Sequence, residues 1–193
     1  MKVDFHVHTS VGGGKNTPAE MAAVAKKRGL DAIAITDTGT LKGWEHFHPQ
    51  SFVIIPGVEL ELEEGRVLVY GVTKVPAHRT VEGLLKWVKE GGYLAVPVLG
   101  GPIPDWAMQF EVVEAINASA PPWVCKAAVK RCTSTGKKFL CNSGARSVSQ
   151  LGKFYNNVDA EGDWEDIVKA VKKGRFEPRL KFPGLGDLLR SRF

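Results

Sequence analysis

The chain begins MKVDFHVHTSVGGG (residues 1–14), and this stretch carries two of the five histidines. Apolar and polar residues alternate over "VDFHVH", which is the period of a strand that buries one face. His6 and His8 then share the other face, where the strand ends in a Gly-rich turn. Two imidazoles on one face can bind a single metal ion. An edge strand that carries histidines by chance is the alternative, and the strand alone does not decide between the two.

Length and composition favour one soluble domain. The chain has 193 residues, of which 44% are hydrophobic, enough for one well-filled core and little for two. No apolar run reaches the roughly 18 residues of a membrane span, and no basic leader precedes the first strand. We therefore expect a cytoplasmic protein with no membrane partner. The three cysteines lack Cys-x-x-Cys spacing, so we expect reduced, structural thiols.

The charge balance of the chain is basic. A formal net charge of +5 and a pI near 9.1 favour an anionic partner, either a phosphorylated small molecule or a nucleic acid such as RNA. The oligomeric state stays open, because the sequence shows no heptad pattern or self-complementary apolar strip.

Strand and helix patterns alternate along the chain after the first strand. They predict strands at 30–36, 52–62, 66–72, 93–99, 112–118 and 138–144, and helices at 17–29, 80–92, 121–136 and 163–174. The segment "EEG" between two of the strands predicts a hairpin turn. The alternation favours a barrel of parallel βα units as a single domain over residues 1–178. A basic tail, residues 179–193, would pack on this barrel or extend from it.

Polar side chains follow several of the predicted strands. In βα barrels the chemistry lies at the carboxyl ends of the strands. This rule places the following residues near one another: His6, His8, Asp37, Thr38, Glu59, Asn117, Asn142 and Ser143. A pocket of this content predicts a metal or oxyanion site.

Six short motifs occur in an order that resembles a known family. They are "DFHVHT", "GLDAIAITDT", "IIPGVELEL", "GGYLAVP", "VVEAINA" and "NSGARS", and together they resemble the polymerase and histidinol phosphatase (PHP) family over nearly the whole chain. The resemblance implies an α/β fold, a distorted (β/α)7 TIM-like barrel, in which two or three divalent metals hydrolyse phosphate esters. On this basis His6 and His8 match the opening His-x-His of the family, and Glu59 matches its metal-bridging acid.

The chain departs from the family pattern at several ligand positions. The acid that usually follows the first motif is missing from "SVGGG", and the other replacements are Thr38, Arg66, Val96, Gly144 and Arg146. None of these side chains can replace a carboxylate or imidazole ligand. We therefore expect one ion at most, zinc or manganese, on His6, His8 and Glu59. Arg146 would supply positive charge that a metal supplies elsewhere in the family.

Two functions remain open from the sequence. The first is a phosphoesterase-type hydrolase scaffold, weakly active or inactive, with Asp37 as general base or as a residue that orients the site, and Arg146 also catalytic. Its phosphate-binding residues would be Thr38, Asn117, Asn142, Ser143 and Arg146. The alternative is a non-catalytic RNA-binding protein in tRNA processing, because "CNSGARSVSQLG" is similar to a segment of the PHP-related subunit (protein component 3) of ribonuclease P.

Two further segments allow two interpretations each. His46 and His48 lie on a predicted loop over the barrel mouth, where they either join the site or are surface residues, the interpretation we favour. The tail either packs through Leu185, Leu188, Leu189 and Phe193 or contacts RNA phosphates through Arg175, Arg179, Lys181, Arg190 and Arg192.

Overall fold

The computed structural model describes residues 1–99 and 102–180. The described strands are β1 (Lys2–Val7), β2 (Ala32–Ile35), β3 (Val53–Glu61), β4 (Arg66–Tyr70), β5 (Leu94–Pro97), β6 (Val112–Asn117), β7 (Lys138–Asn142), β8 (Phe154–Val158) and β9 (Phe176–Leu180). The helices are α1 (Pro18–Lys27), α2 (Lys42–Glu45), α3 (Val81–Gly91), α4 (Pro122–Thr135) and α5 (Trp164–Lys172), with a 3-10 turn at Asp105–Gln109. The sequence patterns therefore predicted most of the elements, but not α2, β8, β9 or the 3-10 turn.

The helix boundaries follow the capping signals in the sequence. Thr17 accepts a hydrogen bond from the backbone N–H of Glu20, whose side chain accepts one from the backbone of Thr17 in return, and Pro18 occupies the first turn of α1. Asp163 caps α5, because its side chain accepts hydrogen bonds from two backbone N–H groups of the first turn. These local contacts explain why the helix starts could be predicted.

The strands form a seven-stranded sheet in the order β5-β4-β3-β2-β1-β8-β9 and a two-stranded sheet of β6 and β7. Strands β1, β2 and β3 are mutually parallel, as are β6 and β7. Single bridges, Val98 with Glu114 and Val7 with Ala145, link the two sheets at both sides. The result is an α/β fold with a curled sheet.

The prediction of uniformly parallel βα units is wrong for part of this sheet. Strand β4 pairs antiparallel with both β3 and β5, and β8 pairs antiparallel with both β1 and β9. The short turn between β3 and β4 leaves no room for the crossover that parallel neighbours need. The predicted hairpin turn is therefore confirmed.

The pairing brings the ends of several strands to one edge of the fold. The carboxyl ends of β1 and β3 lie at the same edge because these strands run parallel to β2. Strand β4 runs the other way, so its first residue, Arg66, lies opposite Glu61 near this edge. Beneath this edge, the ring of Phe5 packs edge-on against the ring of Tyr70 in the core. The hydroxyl of Tyr70 donates a hydrogen bond to the backbone carbonyl of Phe5 over 2.8 Å.

The C-terminal segment is described only as far as Leu180. Arg175 pairs with Asp159, and Arg179 pairs with Glu177 on the same strand. The other tail residues named above lie outside the described residues: Lys181, Leu185, Leu188, Leu189, Arg190, Arg192 and Phe193. In the described part of the chain no helix is both long and apolar enough to cross a bilayer. The three cysteines are buried and free, as expected.

Candidate metal centre and anion pocket

Three side chains converge at the carboxyl end of β1. The Nε2 atoms of His6 and His8 are 3.0 Å apart, and Oε2 of Glu59 is 3.0 Å from the first and 3.2 Å from the second. All three side chains are buried. They form the group of potential metal ligands found among the described residues. The alternation in "VDFHVH" therefore places both imidazoles at one point, as predicted.

The outer nitrogens of both imidazoles have acceptors of their own. Nδ1 of His6 lies 2.9 Å from Oε1 of Glu114, and Nδ1 of His8 lies 3.2 Å from the carbonyl of Gly12. An acceptor at Nδ1 favours the tautomer that carries its proton there, which leaves the Nε2 lone pair free. In this neutral form both Nε2 atoms face Glu59 and can bind a metal ion, whereas a protonated imidazole donates its Nε2–H to the carboxylate instead. This is the arrangement that orients histidine ligands in metal sites.

The carboxylate of Glu114 is itself held by two amides. Asn117 donates to its Oε2 over 3.1 Å, and Asn142 donates to its Oε1 over 2.9 Å. Glu114 is fully buried, and these bonds compensate part of the cost of burying its charge. Sequence reasoning missed Glu114. A signal was present, because an acid inside the apolar run "VVEAIN" needs a buried partner.

The electrostatics of the centre follow from these contacts. Burial lowers the pKa of His6, but the charge and hydrogen bond of Glu114, together with those of Glu59, outweigh it and raise the pKa to about 9. Burial likewise raises the pKa of Glu59, but hydrogen bonds from His6 and His8 hold that pKa well below its usual range. Without an ion, a proton on His6 thus balances part of the buried negative charge.

The separations of the three ligand atoms fit a metal ion. In a tetrahedral site with bonds of about 2.0–2.1 Å, two ligand atoms lie about 3.3 Å apart. The observed 3.0–3.2 Å is close to this value. Two imidazoles and one carboxylate are also a ligand set of catalytic zinc sites, in which the fourth position stays open to water or substrate. The residues present can therefore hold one divalent ion.

A cavity of about 170 Å³ opens directly onto this centre. His6 and His8 form part of its wall, together with Asn117 and two arginines, Arg66 and Arg146. Arg66 donates from NH1 to Oε1 of Glu59 over 3.0 Å, and Arg146 donates from NH1 to the carbonyl of Gly13 over 2.9 Å. Two arginines, one of them paired with Glu59, therefore line the cavity. Sequence reasoning named Arg66 only as a replaced ligand, although its position at the start of β4 brings it to the site.

The glycine turn after β1 makes room for Arg146. Gly13 has a φ of +102°, and a Cβ at this position would lie 2.5 Å from NH1 of Arg146. A larger residue would therefore both strain the turn and displace the guanidinium.

Asp37 and Thr38 lie beside the centre but not on the cavity wall. Asp37 is buried and accepts from the backbone N–H and the hydroxyl of Thr9, each over 2.6 Å. Thr38 is half-buried and bridges to Glu59 through its backbone. Of the two roles considered for Asp37, these contacts favour the orienting one, because both oxygens hold the loop that follows His8.

Asn142 and Ser143 lie beneath the centre. Both are buried, and Ser143 donates its backbone N–H to Asp4 over 3.1 Å. Burial raises the pKa of Asp4 to about 6. Of the predicted phosphate-binding residues, the structure places Asn117 and Arg146 on the cavity wall, whereas Asn142 supports Glu114 from the interior.

His46 and His48 do not join the centre. His48 lines a separate cleft with Met1 and Asp31, at the amino ends of β1 and β2, and its Nε2 lies 3.1 Å from the carbonyl of Glu45. His46 is exposed. The prediction of a loop over the barrel mouth is thus wrong, because the loop leads into the amino end of β3. The interpretation of these residues as surface histidines agrees with the structure.

Comparison with known proteins finds a match to one family model. The family model of the PHP domain matches residues 4–83, which contain His6, His8 and Glu59. This part of the chain is therefore similar to a PHP domain, and the curled α/β sheet resembles the fold of solved PHP-like structures.

Three relatives illustrate the range of the similarity. The uncharacterized protein MJ1587 of Methanocaldococcus jannaschii is 30% identical over 112 residues, which are 50% of this chain and 66% of that protein. A two-domain protein of Bacteroides vulgatus, which contains a predicted PHP-like metal-dependent phosphoesterase, aligns with a TM-score of 0.73 at 16% identity over 93% of this chain and 64% of its own. PsfC of Pseudomonas syringae aligns with a TM-score of 0.72 at 19% identity over 98% and 95% of the two chains. The chain thus spans just under two thirds of the first two proteins.

Proposed function

We propose that this protein is a metal-dependent phosphoesterase-type hydrolase with a distorted (β/α)7 barrel and one divalent ion, zinc or manganese, held by His6, His8 and Glu59. The observation that carries this proposal is the pair of outer contacts, Glu114 at His6 and Gly12 at His8, which leave both Nε2 atoms facing Glu59. A bound ion would polarise a phosphoryl oxygen and lower the pKa of a coordinated water.

The chain's own residues then have separate tasks. Arg146 and Asn117 face the cavity, where they can bind the oxygens of a phosphate group. Asp37 holds Thr9 and with it the loop that follows His8. The replaced ligand positions leave the departing oxygen without a second ion. We therefore expect slow hydrolysis compared with a site that holds two or three metals.

Metal analysis tests the proposal directly. Protein purified without chelator should contain close to one equivalent of zinc or manganese, and the His8→Ala variant should retain none, because two ligands rarely hold an ion that three hold. His78→Ala is the matched control, since this histidine lies away from the centre, near Gly83 and Trp87. Hydrolysis of a generic phosphate ester should depend on the added metal.

The RNA-binding alternative, including a role in tRNA processing, rests on the basic charge and a short sequence similarity. It predicts RNA binding that weakens steeply with salt. Absence of bound metal in both the parent and the His78→Ala control, together with salt-sensitive RNA binding, would favour this alternative over the hydrolase.

A further inference from the structure

We propose that Arg66 and Arg146 form a clamp for a terminal phosphate group, so that the substrate is a phosphate monoester and not a diester. The choice of a phosphate ester rests on the proposed function. The clamp itself is a property of the two arginines, and it is expected to bind phosphate without any metal ion.

Arg66 is held in place by the metal-binding carboxylate. Its NH1 bonds Oε1 of Glu59, while Oε2 of the same carboxylate faces the two imidazoles. A guanidinium has five N–H donors in a rigid plane, and the remaining ones are available because the side chain is 43% exposed and lines the cavity. Arg66 therefore places a fixed positive charge where Glu59 would otherwise be free to bind a second cation.

Arg146 reaches the same cavity from the loop after β7. Its NH1 is fixed by the carbonyl of Gly13, and its backbone N–H donates to the side chain of Gln150 over 2.8 Å. Two anchored guanidiniums from separate elements thus share one small cavity. Such preorganised donors lose little conformational entropy when an oxyanion binds.

The charge of the cavity favours a dianion. With one divalent ion bound and neutral imidazoles, the ion and the two arginines exceed the charge of Glu59 and Glu114 by two. A phosphate monoester carries about −1.5 to −2 near neutral pH, whereas a diester carries a single negative charge. The monoester therefore neutralises the site more completely.

Calorimetry on the metal-free full chain tests the clamp. The protein is stripped with a chelator and titrated with inorganic phosphate, phenyl phosphate and methyl phenyl phosphate. We expect inorganic phosphate to bind the metal-free protein through the two arginines. After one equivalent of zinc is added, which raises the excess positive charge from one to two, we expect phenyl phosphate to bind at least about tenfold more tightly than methyl phenyl phosphate. Because a hydrogen bond to a charged group contributes about 1.5–3 kcal/mol, Arg66→Gln and Arg146→Gln should each weaken phosphate binding by about tenfold or more.

Arg175→Gln is the matched control, because Arg175 is also half-exposed and paired with a carboxylate, but away from the cavity. Its phosphate affinity should stay within about twofold of the parent. Equal affinity of parent, Arg66→Gln and Arg146→Gln, or equal binding of monoester and diester, would overturn the clamp. If Arg66→Gln fails to fold, Arg66→Lys and Arg146→Gln decide the question.

The two proposals can fail separately. A parent that binds phosphate in the metal-free state but never retains a metal supports the clamp and contradicts the metal centre. A parent that retains one metal equivalent but shows no arginine-dependent phosphate binding supports the metal centre and contradicts the clamp.

Discussion

Metal binding should release a proton from His6, and removing the charge of Glu114 should suppress this release. In the metal-free protein the carboxylates of Glu114 and Glu59 outweigh the effect of burial and raise the pKa of His6 to about 9. The Nε2 atom of His6 faces both His8 and Glu59. An ion at this point must therefore displace the proton before it can bind.

The size of the effect follows from this pKa. At pH 7.5, about 1.5 units below it, His6 is almost fully protonated, so binding should release about one proton from this residue and be about thirtyfold weaker than at high pH. An imidazole with an ordinary pKa of about 6.5 would release about a tenth of a proton. The Glu114→Gln variant keeps an acceptor of the same shape for Nδ1 but loses the charge. Its proton release should fall clearly below that of the parent.

Isothermal titration of the metal-free protein with manganese or zinc provides the assay. Heats measured at pH 7.5 in two buffers of different protonation enthalpy give the number of protons released. Glu111→Gln is the control, because Glu111 precedes the same strand but is exposed. Proton release in Glu114→Gln equal to that in the parent, or no release in the parent, would refute the reasoning.

Three further predictions concern stability and the site. The raised pKa of His6 contributes stability that is complete below about pH 6.5 and is lost as the pH rises through about 9. The free energy of unfolding of the metal-free protein, measured by urea titration, should therefore fall by on the order of 3 kcal/mol between these pH values. An unfolding free energy that does not change with pH would contradict this prediction. The Gly144→Asp variant restores an acid of the family pattern. It should destabilise the protein by about 1–3 kcal/mol and add no second ion, because Gly144 has a φ of +57° and a new Cβ would lie 2.4 Å from Oδ1 of Asn117. Two metal equivalents in this variant would contradict the prediction. Gly43→Ala should lower metal affinity, because its Cβ would lie 2.2 Å from Oδ2 of Asp37, whereas a more stable variant with unchanged affinity would show that this carboxylate does not hold the site.

The parts of the fold that the sequence predicted are those that neighbouring residues determine. The alternation around His6 and His8 fixed which side chains share a face, and the cap at Thr17 fixed the start of α1. The "EEG" turn similarly fixed the β3–β4 hairpin. In each case the interacting groups lie within a few positions of each other, so a short pattern contains the whole interaction.

The missed features depend on contacts between distant positions. His6 and Glu114 are 108 positions apart, and no local pattern connects them. The rule that places chemistry at strand ends gives the position of a residue along its strand but not the direction of its side chain. Asn142 and Ser143 therefore stand at the predicted level but inside the fold, whereas Asn117 reaches the cavity.

The charges of the site connect the two proposals. In the metal-free state, protonated His6 and two arginines face Glu59 and Glu114, which leaves one positive charge in excess. Exchange of the His6 proton for a divalent ion raises the excess by one, so the ion should strengthen the binding of an anion. By linkage, an anion in the cavity strengthens the binding of the ion by the same factor. Phosphate binding in the metal-free protein therefore isolates what Arg66 and Arg146 contribute, because the ion adds to the same attraction once it is bound.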